Sequence, residues 1–184
     1  MSGLSRGKIL SAIAVLCLLA SSSAAQTNSS AASQPAKPAP PSCDASEHRQ
    51  FDFWVGEWDV YVQGKKIAHS SIQNILNGCV IFENWQPLNG GPGKSFNYFD
   101  PLVQKWRQLW VSTQPGGAIN FVGERKGNTM YMECETLGPN GVRTLGHMTW
   151  TDLGPGKVRQ LWEQSTDGGK TWTVAFDGEY RRQL

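Results

Sequence analysis

From Gly56 to Arg182 the chain alternates short β-prone runs, apolar and polar residues in turn, with clusters of Gly, Pro, Asn and Asp. The clusters fall at Gln63-Gly64, Asn77-Gly78, Asn89-Gly90-Gly91-Pro92-Gly93, Asp100-Pro101, Pro115-Gly116-Gly117, Lys126-Gly127-Asn128, Pro139-Asn140-Gly141, Gly154-Pro155-Gly156 and Asp167-Gly168-Gly169. Glycine and asparagine supply the positive φ of tight hairpins, so nine evenly spaced turns predict ten short antiparallel strands. No window of the domain sustains helical periodicity, apart from one short helix around Ala45–Phe53 that Ser46 could cap. Two stacked sheets share this pattern. Similar strand lengths, no long Greek-key connection and the need to hide strand edges favour an all-β fold, a single antiparallel up-and-down β-barrel.

The barrel's beginning is written in Phe51-Asp52-Phe53-Trp54-Val55-Gly56-Glu57-Trp58-Asp59-Val60. Phe51, Phe53 and Trp54 are bulky enough to plug one end, and Gly56 stands where the chain must turn sharply into the first strand.

Residues two apart on a strand share a face. Trp106, Gln108 and Trp110 are in phase, as are Gln160 with Trp162, Glu83 with Trp85, and Ser95 with Asn97. The tetrapeptide Arg-Gln-Leu-Trp occurs twice, at 107–110 and 159–162, each time setting a Gln and a Trp on one face. Arg107 and Arg159 prefer solvent, which turns Gln108, Trp110, Gln160 and Trp162 inward; Leu109, Val111 and Leu161 are then left outside. Trp85, Gln108, Trp110, Gln160 and Trp162 are expected to converge on one cavity, with Glu83 and Asn97 on its polar side. Aromatic walls with a few polar groups suit a small hydrophobic or amphipathic molecule. The competing expectation is that the indoles fill a solid core. Glu83, if buried, needs a raised pKa or a cation, and Arg107 and Arg159 belong to the opposite phase; an exposed Glu83 is the alternative.

The Gly56-Glu57-Trp58 step resembles the Gly-x-Trp signature of the calycins, the lipocalin and fatty-acid-binding barrels. Ten strands with no helical lid resemble the nitrobindin-like branch. The longer pattern FDFWVGEWDV, NGCVIFENW, SFNYFDP, KWRQLW and VRQLWEQSTDGGKTWTVAFDGEYRR, spanning nearly all of residues 48–182, is similar to bacterial secreted proteins of uncharacterised function. The resemblance implies that Arg181 or Arg182, at the end of the last strand, packs on Trp58. It also makes His147 the residue to consider for haem. A single strand histidine without a C-x-x-C-H motif gives haem no further support, and no cofactor is expected.

Composition places this barrel outside the cytoplasm. Arg6 and Lys8, the apolar run Ile9–Ala20 and Ser23-Ala24-Ala25 read as a cleaved signal peptide over residues 1–25, with a lipid anchor at Cys17 as the competing reading. Residues 26–42, with Pro35, Pro38, Pro40 and Pro41 and no apolar period, read as a disordered Ser/Ala/Pro-rich tether, leaving 43–184 as the barrel domain. Losing Arg6 and Lys8 takes the 17 basic residues to 15, against 15 acidic ones. A formally neutral mature chain argues against nucleic acid or membrane surfaces as partners, and no insertion into a membrane is expected after cleavage. In a secreted or periplasmic setting the remaining cysteines suggest one disulfide, Cys43–Cys79, pinning the tether to the domain, and one buried thiol, Cys134.

Two further features limit the chemistry. Ser165-Thr166-Asp167-Gly168-Gly169-Lys170-Thr171-Trp172 matches the Asp-box of sialidase propellers, but a single copy reads as a hairpin turn. No Gly-x-Ser-x-Gly, H-E-x-x-H or phosphate loop occurs, so no catalytic residue is assigned and no metal site is expected. Three classes remain: a reversible ligand-binding barrel, a barrel-type cyclase or isomerase using Glu83, and a solid scaffold or interaction domain.

Overall fold

The computed structural model describes residues 43–114, 117–138 and 140–183. The leader and the tether, residues 1–42, lie outside them. Two short 3-10 turns, Ser46–Arg49 and Asp52–Trp54, precede ten strands: β1 Gly56–Val62, β2 Lys65–Ile75, β3 Val80–Pro87, β4 Gly93–Asp100, β5 Lys105–Ser112, β6 Ile119–Lys126, β7 Thr129–Leu137, β8 Arg143–Asp152, β9 Lys157–Ser165 and β10 Thr173–Arg182. Each strand pairs antiparallel with the next, and β10 pairs with β1 to close the sheet. The fold is therefore a closed up-and-down barrel without a free sheet edge, and not a sandwich. The expected short N-terminal helical segment is present, as the two 3-10 turns. Ser46 caps neither; its hydroxyl donates to the neighbouring Glu47 carboxylate at 3.2 Å, and Ala45 occupies the N-cap position.

Alternation decides what faces inward. On β4, Gly93, Ser95, Asn97 and Phe99 are buried while Lys94, Phe96 and Tyr98 are exposed. Arg107 and Arg159 lie on the outer surface, paired with Asp100 at 2.7 Å and Asp177 at 2.8 Å. Leu109 and Leu161 are half-buried outside and Val111 is exposed, a common fate for single apolar residues.

One end of the barrel is filled. Phe51 and Trp54 are wholly buried, with their rings stacked 5.0 Å apart, and Phe51 meets the edges of Trp106 and Trp150 at 5.6 and 5.2 Å. The Trp58 indole nitrogen donates to the Trp54 carbonyl at 2.8 Å, tying plug to wall. Phe53 lies at the margin of the plug, beneath the Arg125 guanidinium at 4.6 Å. Gly56 has φ +148°, and a Cβ there would strike the Arg182 guanidinium. That guanidinium lies 4.5 Å over the Trp58 ring and donates to the Val55 carbonyl at 2.9 Å, so Arg182 covers Trp58, whereas Arg181 covers Tyr61. Cys43 and Cys79 are disulfide-bonded, fastening the chain ahead of the plug to the β2–β3 turn.

Candidate ligand-binding cavity

Above the plug the interior opens. Three strands carry the same two-residue device, an acid or amide followed two positions later by tryptophan: Glu83-Asn84-Trp85 on β3, Gln108-Leu109-Trp110 on β5 and Gln160-Leu161-Trp162 on β9. The period-2 geometry of a strand puts all six of these side chains inside. They line one cavity of about 230 Å³, together with Ile119 and Phe121 from β6, Met148 from β8, and Ala175, Phe176 and Tyr180 from β10. Trp85, Trp110, Ile119, Trp162 and Phe176 also bound an outer basin of about 540 Å³ reaching Ile67, Leu88 and Gln114, so these five side chains form the rim between the chamber and its mouth. Two glycines make room for the rim. A Cβ at Gly93 would enter the Trp110 ring, and one at Gly178 would enter the Phe176 ring.

The floor is polar and internally bonded. Glu83, only 3% exposed, accepts the Ser70 hydroxyl on Oε1 at 3.1 Å and the Ser95 hydroxyl on Oε2 at 2.9 Å. Asn97 donates to the Ser95 hydroxyl at 2.9 Å and to the Ile81 carbonyl at 3.0 Å, and its own oxygen accepts the Gln108 amide at 2.7 Å. From the other side the Tyr180 hydroxyl donates to Gln160 Oε1 at 2.6 Å, and the Gln160 amide donates to the Met148 sulfur at 2.7 Å. Tyr180 also lies beside the Glu83 carboxyl, between the two halves of the network. Buried polar groups are tolerated only when bonded in this way.

Burial pushes the Glu83 carboxyl up to about 7, against the opposing pull of hydrogen bonds from Ser95, Ser70 and Tyr180. Among the described residues no cation offsets it, and Arg107 and Arg159 are paired on the outer surface. Burial likewise raises Tyr180 well above the usual phenol value, aided by the facing Glu83, so Tyr180 keeps its proton.

Of the residues singled out by phase, Glu83, Trp85, Gln108, Trp110, Gln160 and Trp162 come together. Asn97 does not reach the wall: it is wholly buried one step below, a support for Gln108 and Ser95. Tyr180 and Phe176 were missed, although a signal existed. Arg182 covering Trp58 fixes the inward parity of β10, and Tyr180, Gly178 and Phe176 share it. Ala175 was not accessible to this reasoning, since it reaches the cavity through a bulge between Val174 and Phe176.

The remaining candidates lie elsewhere. His147 faces outward, its Nε2 2.8 Å from a Glu163 carboxylate oxygen and its ring stacked on Trp172 at 4.1 Å. Cys134 is a half-buried thiol, and burial pushes it up to about 11, which disfavours its thiolate. Asp167 gathers the Ser165 and Thr171 hydroxyls and the Lys170 and Thr171 amides at 2.6–3.0 Å, so the Asp-box sequence is a hairpin turn. Among the described residues no three His, Cys, Asp or Glu side chains gather as a metal site, and no helix is long and apolar enough to cross a membrane.

No protein-family model and no curated protein sequence matches this chain. Its architecture, a closed ten-stranded antiparallel barrel with Arg182 over Trp58, is compatible with the calycin fold on geometry alone.

Proposed function

We propose that this chain is an exported, calycin-type barrel that reversibly binds a small, partly apolar molecule in the Trp/Gln-lined chamber. The observation that carries this reading is the contrast within one barrel. One end is packed solid with aromatic rings, while the other keeps a chamber whose polar floor is braced by its own hydrogen bonds. A floor bonded to itself holds its shape without a ligand, which lowers the ordering cost of binding. The chamber exceeds the roughly 150 Å³ of an engineered cavity that takes benzene and falls short of most drug-sized sites. A compound of one or two rings fits. Export is supported by the leader-like sequence of residues 1–25 and by the Cys43–Cys79 disulfide, which suits an oxidising compartment.

Native mass spectrometry of the protein isolated from its own host tests this reading, alongside tryptophan fluorescence during titration with a library of one- and two-ring compounds. The expected result is a co-purifying small molecule, or quenching by a subset of the library. Neither a bound mass nor any quenching at millimolar concentrations would sink it.

One observation favours a second reading, an isomerase or cyclase. Tyr180 converges on Glu83, so a carboxyl titrating near neutrality has a neighbour that holds its proton, a pairing suited to moving a proton on a bound substrate. Glu83→Gln would then abolish turnover of a bound compound; retention of turnover by that variant would discard Glu83 as its acid or base.

A further inference from the structure

We propose that the molecule held in the chamber is a small organic cation, an ammonium group carried on an aromatic or branched apolar body, with Glu83 as its counter-charge. This rests on the binding reading above and names its ligand class. The first support is the charge inventory of the wall. Among the described residues it contains no Lys, Arg or His, and its two ionisable side chains, Glu83 and Tyr180, can only be neutral or negative. An anion inside this chamber meets no opposite charge and six aromatic rings, and Lys66 at the outer basin is already paired with Asp59 at 2.8 Å; a cation meets a carboxylate.

The rings give the second support. Trp85, Trp110, Phe121, Trp162, Phe176 and Tyr180 surround the space. Aromatic faces carry negative quadrupole density, which attracts a desolvated cation placed over them. The third support is the way Glu83 is held. Each carboxyl oxygen accepts one serine hydroxyl, at 3.1 and 2.9 Å. With Tyr180 as the third hydroxyl beside it, the carboxylate still retains acceptor capacity for a ligand N–H. The serines fix the carboxylate's orientation without neutralising it, and that orientation aims its charge at whatever occupies the chamber.

Binding of such a cation is coupled to one proton. The groups facing Glu83 are Ser70 from β2, Ser95 from β4 and Tyr180 from β10, and of these only Tyr180 titrates, far above neutrality. Below about pH 7 Glu83 holds a proton that the cation must displace. An alkylammonium keeps its own charge throughout, with a pKa of about 10.

Three probes with one body and three charges decide the matter: 2-phenylethylammonium, 2-phenylethanol and phenylacetate, titrated by tryptophan fluorescence at pH 8.0 and pH 5.5. The expected result is that the cation binds at least tenfold more tightly than the alcohol at pH 8.0 and that phenylacetate does not bind. Affinity for the cation should fall about 30-fold at pH 5.5 through proton linkage, while that for the alcohol stays level. Glu83→Gln should erase the preference for the cation over the alcohol. Should that variant fold poorly, the charge series on the natural protein decides alone. Equal or tighter binding of the alcohol at pH 8.0 would overturn the cation and leave the binding reading standing. Absence of binding by all three probes would count against both.

Discussion

Glu83 meets serine and tyrosine hydroxyls where a buried acid ordinarily meets a cation, and the cost shows in its titration. Its carboxyl sits at about 7 in the folded protein against an ordinary 4.5. The folded state therefore holds the proton more tightly than the unfolded chain. Stability tied to this group is full below about pH 4.5 and is lost as pH rises through about 7. The difference amounts to about 3 kcal/mol. Glu83→Gln keeps the shape and removes the charge, so its urea midpoint should exceed that of the natural protein at pH 8 and match it near pH 4.5. A variant no more stable at pH 8 would show that Glu83 is ionised at little cost. At this scale the sequence was partly legible. The period-2 phase put the Gln–Trp pairs inside, but whether Glu83 was buried could not be read, because its neighbours Ser70, Ser95 and Tyr180 come from three other strands.

Among the elements, the strands and turns were legible because each turn has its own local chemistry. The short helical segment was legible as well, taking the form of two 3-10 turns that carry Phe51 and Trp54 to the rings of the wall, although Ser46 caps neither. Two predictions belong here. Replacing Cys43 and Cys79 together with serine should cost about 3–4 kcal/mol on the chain-entropy model, as seen by chemical denaturation. A loss below 1 kcal/mol would mean that the plug holds the N-terminal segment unaided. Gly56→Ala introduces a methyl group at φ +148° against the Arg182 guanidinium and should cost about 1–3 kcal/mol. An unchanged midpoint would show that Arg182 can leave Trp58 freely. Bulges were the illegible part of the strands. Those at Val60/Tyr61 and Val174/Phe176 arise from the curvature of a closed sheet, which no local residue pattern records.

At the scale of the molecule, plug and chamber share one continuous wall, so substitutions at the rim should alter binding without unfolding the barrel. Trp110→Ala and Trp162→Ala should each weaken a bound one-ring compound by about 1–3 kcal/mol while shifting the thermal midpoint far less than Trp54→Ala. Affinity unchanged in both would place the ligand elsewhere. Which residues bound the chamber was legible for six positions through phase; its size was not, being set by the stagger of ten strands. The pairing of β1 with β10 carries one more consequence. The first strand made is the last to be matched, because its partner lies more than a hundred residues downstream. Throughout synthesis β1 can pair on one side only, and Trp58 waits uncovered until Arg182 arrives. Ring closure is thus a late step that joins distant segments, slow by the ordinary rule for non-local contacts. A growing barrel of this kind stays open along one seam until β10 is available, however many of its other strands have already paired.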